Sequence, residues 1–356
     1  KVEAQIKFGW EVDAYPVNEV CDYVKDVSKG DIDVLVEEYY NKYDILFEGR
    51  DPEEFKRHVA VQAAIEIGFE RFLEEKNYQA VVTHFGDLGG LQQLPGLAMQ
   101  RLMEKGYGFG AEGDWKTAAM VRLMKIMTAG VKDAKGTSFM EDYTYNLVPG
   151  KEGILQSHML EVCPLIAEQK PRLEVHRLSI GIDSETARLV FTSKQGEGVA
   201  ATVVDLGNRF RLIVNEVECV KSKELPKLPV ASALWIPQPD FATGAAAWIL
   251  AGGTHHTSFS YDLTTEYLED YADITVKRER MKKMKADPYY NALQVKYAYA
   301  VTCHKAQGGQ WRNVFLDQGY MTDEYLTPDY FRWLYTAFTR ATGTLYLVNY
   351  PKEQIV

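Results

Sequence analysis

The chain has 356 residues, of which 46% are hydrophobic, 25% charged and 12% aromatic, with a net charge of −10. That much apolar surface offsets the ordering entropy of two or three domains and excludes a disordered, collagenous or coiled-coil chain. No run approaches the roughly 20 uninterrupted apolar residues that a membrane-spanning helix needs.

The opening residues, KVEAQIKFGW, lack the basic start and apolar centre of a secretion signal, so a cytoplasmic protein with no membrane partner is expected. The first residue is Lys1 and not a methionine, a hint of a fragment. Asp51, Pro52, Glu53 and Glu54 predict a helix start: a capping side chain, a proline where no amide donor is needed, and acids at the positive helix end. Phe55, Val59, Ile65, Phe69, Phe72 and Leu73 follow at helical spacing, and Lys76 and Asn77 close the segment. Ala80, Val81 and Val82 read as a buried strand. A second helix is predicted from Leu94 to about Lys105, a strand at Tyr107 to Gly110, and a third helix from the Asp114 cap through Met120 to Met127. Alternating strands and helices with short loops imply a doubly wound parallel sheet, whose ligands bind beyond the carboxyl ends of the strands. Phe85 and Glu112 stand just past two such ends.

After about Gly136 the texture becomes β-rich and is expected to be antiparallel. Runs lie at Leu189 to Thr192, Val199 to Val204, Phe210 to Val220 and Val230 to Ile236, with a turn at Gly207 and Asn208. An Ala-rich helix then ends at Ala251, stopped by Gly252 and Gly253, and His255 and His256 follow at once. The four cysteines, Cys21, Cys163, Cys219 and Cys303, are far apart and read as buried or idle thiols.

Charge steps near residue 275. From Val276 onward there are 12 basic and 7 acidic residues, a balance of +5, which leaves −15 on the residues before it. A body so acidic repels polyphosphate, and nucleic acid is not an expected partner. The basic run that holds Lys277, Arg278, Arg280, Lys282, Lys283 and Lys285 reads as a solvated helix face or, alternatively, as a patch that attracts a polyanion.

Of the seven histidines, His158, His255 and His256 lie in tight segments beside small residues, as do Glu112 and Glu141. Two carboxylates with one or two imidazoles suit Mn²⁺ or a similar divalent ion better than a thiolate zinc or an all-oxygen calcium site. None of these pairs has the spacing of one helix face, so convergence rests on the fold. The plainer reading of each is a salt-bridged surface Glu or a hydrogen-bonded core His.

The strings FGDLGGLQQLPGLAMQRLMEKGYGFGAEGDWKTAAM, TSFMEDYTY, SHMLEVCP, LPKLPVASALW and AWILAGGTHHTSFS resemble the bacterial L-arabinose isomerase family, from about Val2 to about Thr275. The resemblance implies a metal-dependent conversion of L-arabinose to L-ribulose, with some members also turning D-galactose into D-tagatose. It implies Glu112, Glu141, His158 and His256 as the Mn²⁺ ligands, Glu112 and Glu141 also as the acid–base pair, and Phe85 against the sugar. His255 is placed on the sugar or, equally, in packing. A homo-oligomer, the family hexamer, is implied as well; NAD is not. The family's amino-terminal domain has no counterpart in the sequence. Gln156 stands where the family has glycine, and Arg177 and Asp183 to Glu185 alter a further loop, which predicts weakened substrate binding.

Past Val276, VKYAYAVTCHKAQGGQW, VFLDQGY and RWLYTAFTRATGTLYLVNY resemble the last motor motifs of superfamily 1 DNA helicases. There Thr302, His304, Lys305, Gln307 and Gly308 form the loop that couples nucleotide to nucleic acid, and the resemblance implies Arg340 as a finger on the γ-phosphate of ATP. No GxxxxGK followed by Ser or Thr supplies a phosphate loop. The expected architecture is therefore α/β throughout: a doubly wound parallel-sheet domain over 1–135, an antiparallel β-rich domain over 136–275 and a helicase-like segment over 276–356. The expected function is metal-dependent aldose–ketose isomerisation. The alternatives are an inert chimeric fragment that binds metal without turnover, or a piece of an ATP-dependent helicase.

Overall fold

The computed structural model describes residues 1–207, 209–222, 225–264, 310–317, 327–348 and 350. It separates into two compact units, 1–293 and 294–356.

The first unit opens with three helices that the sequence pattern does not announce: α1 (Val2–Phe8), α2 (Val17–Lys25) and α3 (Lys29–Lys42). After the two-residue strand β1 (Asp44–Ile45), the long helix α4 (Pro52–Glu75) begins where predicted, with the Asp51 carboxylate accepting from the Glu54 amide at 2.9 Å. Its predicted stripe, Phe55, Val59, Ile65, Phe69, Phe72 and Leu73, is buried throughout. Strand β2 (Ala80–Val82), helix α5 (Gly96–Glu104), strand β3 (Gly108–Gly110) and helix α6 (Trp115–Met127) follow in the expected order.

The sheet differs from expectation. Among the described residues, β2 and β3 form a parallel pair with no third strand, not an extended doubly wound sheet. Both strands are only three residues long. The other short strand of this region, β1, is taken by a different partner: it runs parallel to β6 (Arg172–Leu178), whose other edge pairs with β7 (Ser184–Val190).

The β-rich part closes into a barrel of six antiparallel strands. These are β4 (Thr137–Asn146), β5 (Gly153–Ser157), β8 (Gly196–Asp205), β9 (Phe210–Val220), β10 (Ser232–Pro237) and β11 (His256–Ser260), in the order β10-β5-β4-β11-β8-β9, with β9 and β10 completing the ring. Closure leaves no open edge. The Ala-rich helix α7 (Phe241–Leu250) ends at Ala251, and Gly252 leaves it in the left-handed region at φ 95°. Alternation along β4 divides two cores. Met140 lies with Trp235, Phe259 and Val217, whereas Phe139 points the other way and packs with Phe109 and Leu102 of the helical part. Helix α6 lies on this outer wall, against β11, β8 and β4.

In the second unit, β12 (Trp311–Asp317) runs parallel to β13 (Ala341–Val348), with helix α8 (Pro328–Phe338) between them in sequence and capped by Thr327. Such a strand–helix–strand run needs a crossover to bring its strands parallel. The basic run from Lys277 to Lys285 lies outside the described residues. Cys21, Cys163 and Cys219 are buried free thiols, and Cys303 is outside the described residues. Among the described residues no helix is long and apolar enough to cross a membrane.

Helices α2 and α4 cross at Gly68, where a β-carbon would sit 2.5 Å from Val24 Cγ2 and 2.8 Å from its Cα. Gly68→Ala is therefore expected to lower stability by about 1–3 kcal/mol through overpacking, although alanine is the better helix former. Denaturant melts against a control Gly30→Ala, which meets only Ser28 Oγ at 3.8 Å, measure the difference.

Candidate active site

Three neighbouring strands bring the site together. Glu141 on β4 is the direct cross-strand partner of His256 on β11 and of Ser157, the last residue of β5, so His158 emerges beside it. Directly opposed residues share a face, so residues more than a hundred apart in sequence become neighbours on the outer barrel wall. His158 Nε2 and His255 Nε2 each lie 3.8 Å from a Glu141 carboxylate oxygen. Phe139, two residues before Glu141 and fully buried, forms the floor. Its ring meets the His158 and His256 rings edge-on, with centroids 5.1 and 5.2 Å away.

The fourth predicted residue arrives from the helical part. Past β3 the chain turns through Ala111 and Glu112 into the cap of α6, and Glu112 takes a left-handed backbone, φ 54°. A side chain there costs on the order of 1 kcal/mol. The turn sets Glu112 beside both His255 and His256, with one donor atom of each residue within 4.8 Å of the others. The tightest donor group thus contains His255, which the sequence reading sets on the sugar or in packing. Glu141 and His158 adjoin this group through the 3.8 Å contacts.

Two acids that sequence reasoning missed orient the imidazoles. Glu161 Oε2 lies 2.6 Å from His158 Nδ1 and also accepts from the Leu160 amide at 3.1 Å. Asp114 Oδ2 faces His256 Nδ1 at 3.4 Å. A carboxylate on Nδ1 keeps the proton there and leaves the Nε2 lone pair for another partner. The available signal was the HMLE spacing of Glu161, three residues after His158; Asp114 was legible only as a helix cap. Burial opposes charge on His158, but Glu161, with Glu141 and Glu112 behind it, outweighs burial and raises its pKa. Burial likewise pushes the Asp114 carboxyl up, yet His256, Thr117 and Lys116 hold it well below the usual carboxylate range.

His256 Nε2 is buried and has no hydrogen-bond partner among the described residues. Leaving such an atom unpaired is costly, whereas a cation would satisfy it. With two histidines whose Nδ1 atoms face carboxylates and two further carboxylates, the donor set fits a divalent ion of the borderline-hard kind.

The remaining predicted residues lie elsewhere. Phe85 is part-exposed and stacks on His84, ring centroids 5.0 Å apart. This stacking does not reach the cluster. A cavity of about 450 Å³, lined by Trp10, Tyr15, Phe72, Tyr78, His84 and Trp115, does not include the cluster either. Gln156 does not crowd the backbone before His158: its side chain turns into the barrel and donates to Asp142, which also accepts from Tyr145. Burial raises the Asp142 pKa. Arg177 pairs with Asp183 at 2.6 Å, and Glu185 with Arg50 at 2.6 Å. In the second unit, the Arg340 guanidinium donates to Thr336 O and Thr339 Oγ1, both at 3.0 Å, in the last turn of α8. Gln307, with Thr302, His304, Lys305 and Gly308, is outside the described residues.

Two family models match successive parts of the chain. Residues 1–130 match the L-arabinose isomerase central domain, and residues 136–277 match the L-arabinose isomerase C-terminal domain. The likeness of residues 1–277 is to L-arabinose isomerase. The L-arabinose isomerase of Geobacillus stearothermophilus is 55% identical over 275 residues, which cover 77% of this chain and 55% of that protein. That of Phocaeicola vulgatus is 57% identical over 282 residues, covering 77% and 55%, and that of a Thermotoga species is 53% identical over 274 residues, covering 77% and 54%. The chain thus spans about half the length of the curated L-arabinose isomerases it matches. Residues 297–348 match a UvrD-like helicase C-terminal domain. Within the L-arabinose isomerase matches, Glu112 falls in the central domain and Glu141, His158, His255 and His256 in the C-terminal domain, so the cluster straddles the two.

Because Phe139 supports both imidazoles and packs on Phe109 with centroids 5.4 Å apart, Phe139→Ala is expected to cost about 3–5 kcal/mol. Denaturant unfolding measures the loss, and a cost under about 1 kcal/mol would contradict its place as the floor.

Proposed function

We propose that the chain acts as an L-arabinose isomerase, interconverting L-arabinose and L-ribulose, with D-galactose and D-tagatose as a further pair, and with Mn²⁺ as the divalent cation. The observation that carries this reading is the meeting of Glu112 with Glu141 and three histidines, with a buried imidazole nitrogen, His256 Nε2, left without a hydrogen-bond partner among the described residues.

Moving a carbonyl from C1 to C2 takes a proton from C2 and returns one to C1, while the two oxygens exchange a proton. The residues needed are carboxylates that alternate between base and acid. Glu141 is held by strand pairing, with its side chain about one-fifth exposed between two imidazoles, so it presents a fixed oxygen to a bound sugar. Glu112, exposed on its left-handed turn, approaches from the opposite part of the fold. His158 and His256, with Nδ1 facing Glu161 and Asp114, would hold the cation through Nε2 together with the two carboxylates. When bound, the ion supplies a Lewis acid for neighbouring sugar oxygens and stabilises negative charge that grows toward the transition state. His255, more than half exposed beside Glu141, and Phe85 are assigned to the sugar. The division at about 135 and 275, and assembly into a homo-oligomer, belong to the same reading.

The alternative reading is a chain that binds the cation without turnover. Mn²⁺ is expected to raise the melting temperature, and ketose is expected to appear from L-arabinose. Glu141→Gln should keep the fold and lower ketose formation by about 10²–10⁴-fold. Stabilisation by Mn²⁺ without ketose would support the second reading, and neither effect would overturn both.

A further inference from the structure

Asp114 stands where two parts of the fold meet and does two things with one carboxylate. Oδ1 accepts from the Thr117 amide at 3.2 Å and Oδ2 from Thr117 Oγ1 at 2.7 Å, which together cap α6. Oδ2 also faces His256 Nδ1 at 3.4 Å, within ion-pair reach and slightly beyond the usual N–H···O distance. Lys116 Nζ lies 3.4 Å from Oδ1. One turn further on, Ser258 Oγ, two residues past His256 on β11, donates to the Thr117 carbonyl at 3.3 Å. The first turn of α6 and the start of β11 are therefore tied together twice, and one tie ends on an imidazole whose other nitrogen is buried without a partner among the described residues.

We infer that Asp114 is a positioning residue that links the docking of α6 on the barrel to the tautomer of His256, so that a cation on Nε2 and a closed first turn of α6 favour one another. For the identity of the cation this rests on the isomerase reading; the linkage itself does not. The chemistry is simple. A carboxylate only accepts, so the proton shared with His256 must sit on Nδ1, and the Nε2 lone pair is left free. Binding at Nε2 strengthens the donor at Nδ1, which tightens the contact to a carboxylate already fixed by Thr117. Linkage is reciprocal, so opening the first turn of α6 weakens the cation site to the same degree.

The separating variant is Asp114→Asn. Asparagine caps helices about as well as aspartate, but with its oxygen on the Thr117 amide it turns an NH₂ donor toward His256 Nδ1. The imidazole must then accept at Nδ1 and carry its proton on Nε2. In the metal-free full chain, nitrogen NMR of the His256 ring is expected to show Nδ1–H in the parent and a shift toward Nε2–H in Asp114→Asn. Free-Mn²⁺ counting by electron paramagnetic resonance is expected to show an affinity loss of about 10–100-fold, with the melting temperature of the metal-free chain little changed. Mn²⁺ should also slow amide exchange at Thr117 in the parent and not in the variant. Should Asp114→Asn fold poorly, Asp114→Ser, which caps but does not reach His256, carries the same expectation for affinity. Thr117→Ala, which keeps the carboxylate, should leave the tautomer unchanged. An unaltered tautomer and unaltered Mn²⁺ affinity in the Asp114 variants would overturn the inference. A parent chain that shows the Nδ1–H tautomer but binds no Mn²⁺ would instead remove the isomerase reading and leave the tautomer linkage standing.

Discussion

The site depends on one pairing, β4 against β11. It sets Glu141 directly across from His256, and the next strand over adds Ser157 and with it His158. Register in a closed antiparallel barrel is strongly specified, because each strand has a wet or helix-covered face and an interior one. The geometry of the donors is thereby inherited from backbone hydrogen bonding, a rigid source, and not from loop conformation. Glu141 and His256 are strand residues, His158 and His255 directly adjoin strand ends, and Glu112 comes from a short loop pinned between β3 and the cap of α6.

Buried polar groups in the first unit fall into two kinds. Arg101 is almost wholly buried, yet its guanidinium meets Glu38, Glu66 and Glu104, with Lys105 closing on Glu66 at 2.8 Å. Such a group is costly to bury and becomes tolerable only when its donors find acceptors, which ties α3, α4 and α5 into one arrangement. The His256 imidazole faces the Asp114 carboxylate with Nδ1 and, among the described residues, has no hydrogen-bond partner at its buried Nε2. The contrast within one core separates a structural knot from a place that asks for a ligand. An acidic body surrounding that place raises the local concentration of cations.

Much of the helical part was legible because its signals are local. The Asp51 and Asp114 caps and the stripe from Phe55 to Leu73 each act within a few residues, and the structure follows them. The parallel sheet was over-read: alternation of strand and helix gives no information on where a two-residue strand such as Asp44–Ile45 finds its partner, and it paired with Arg172 and Leu173 far along the chain. Helices α1 to α3 went unassigned although α2 and α3 carry apolar stripes at helical spacing, Val17, Val20, Cys21 and Val24 in one and Ile32, Leu35, Val36 and Tyr39 in the other. At the site, residue types and motif likeness singled out Glu112, Glu141, His158 and His256. Asp114 was invisible as an orienting acid, since its task exists only once the distant His256 has been folded against it, whereas Glu161 offered only its three-residue spacing from His158. For Gln156 the sequence gives its size but not the side of the wall it enters, where it donates to Asp142.

Glu141 and Asp142 are adjacent in the chain but lie on opposite sides of the barrel wall, one among histidines and the other bonded to Gln156 inside. The identity of the site is therefore a matter of parity. A single residue gained or lost in β4 ahead of Glu141 would swap even for odd, swing Met140 or Asp142 out toward the imidazoles and drive the glutamate into the hydrophobic interior. Two residues gained or lost would restore the sides and merely displace the carboxylate along the strand. Length variation in this family of barrels should accordingly be tolerated at the β4–β5 turn, beyond the last paired residue Asn146, and suppressed between Thr137 and Glu141.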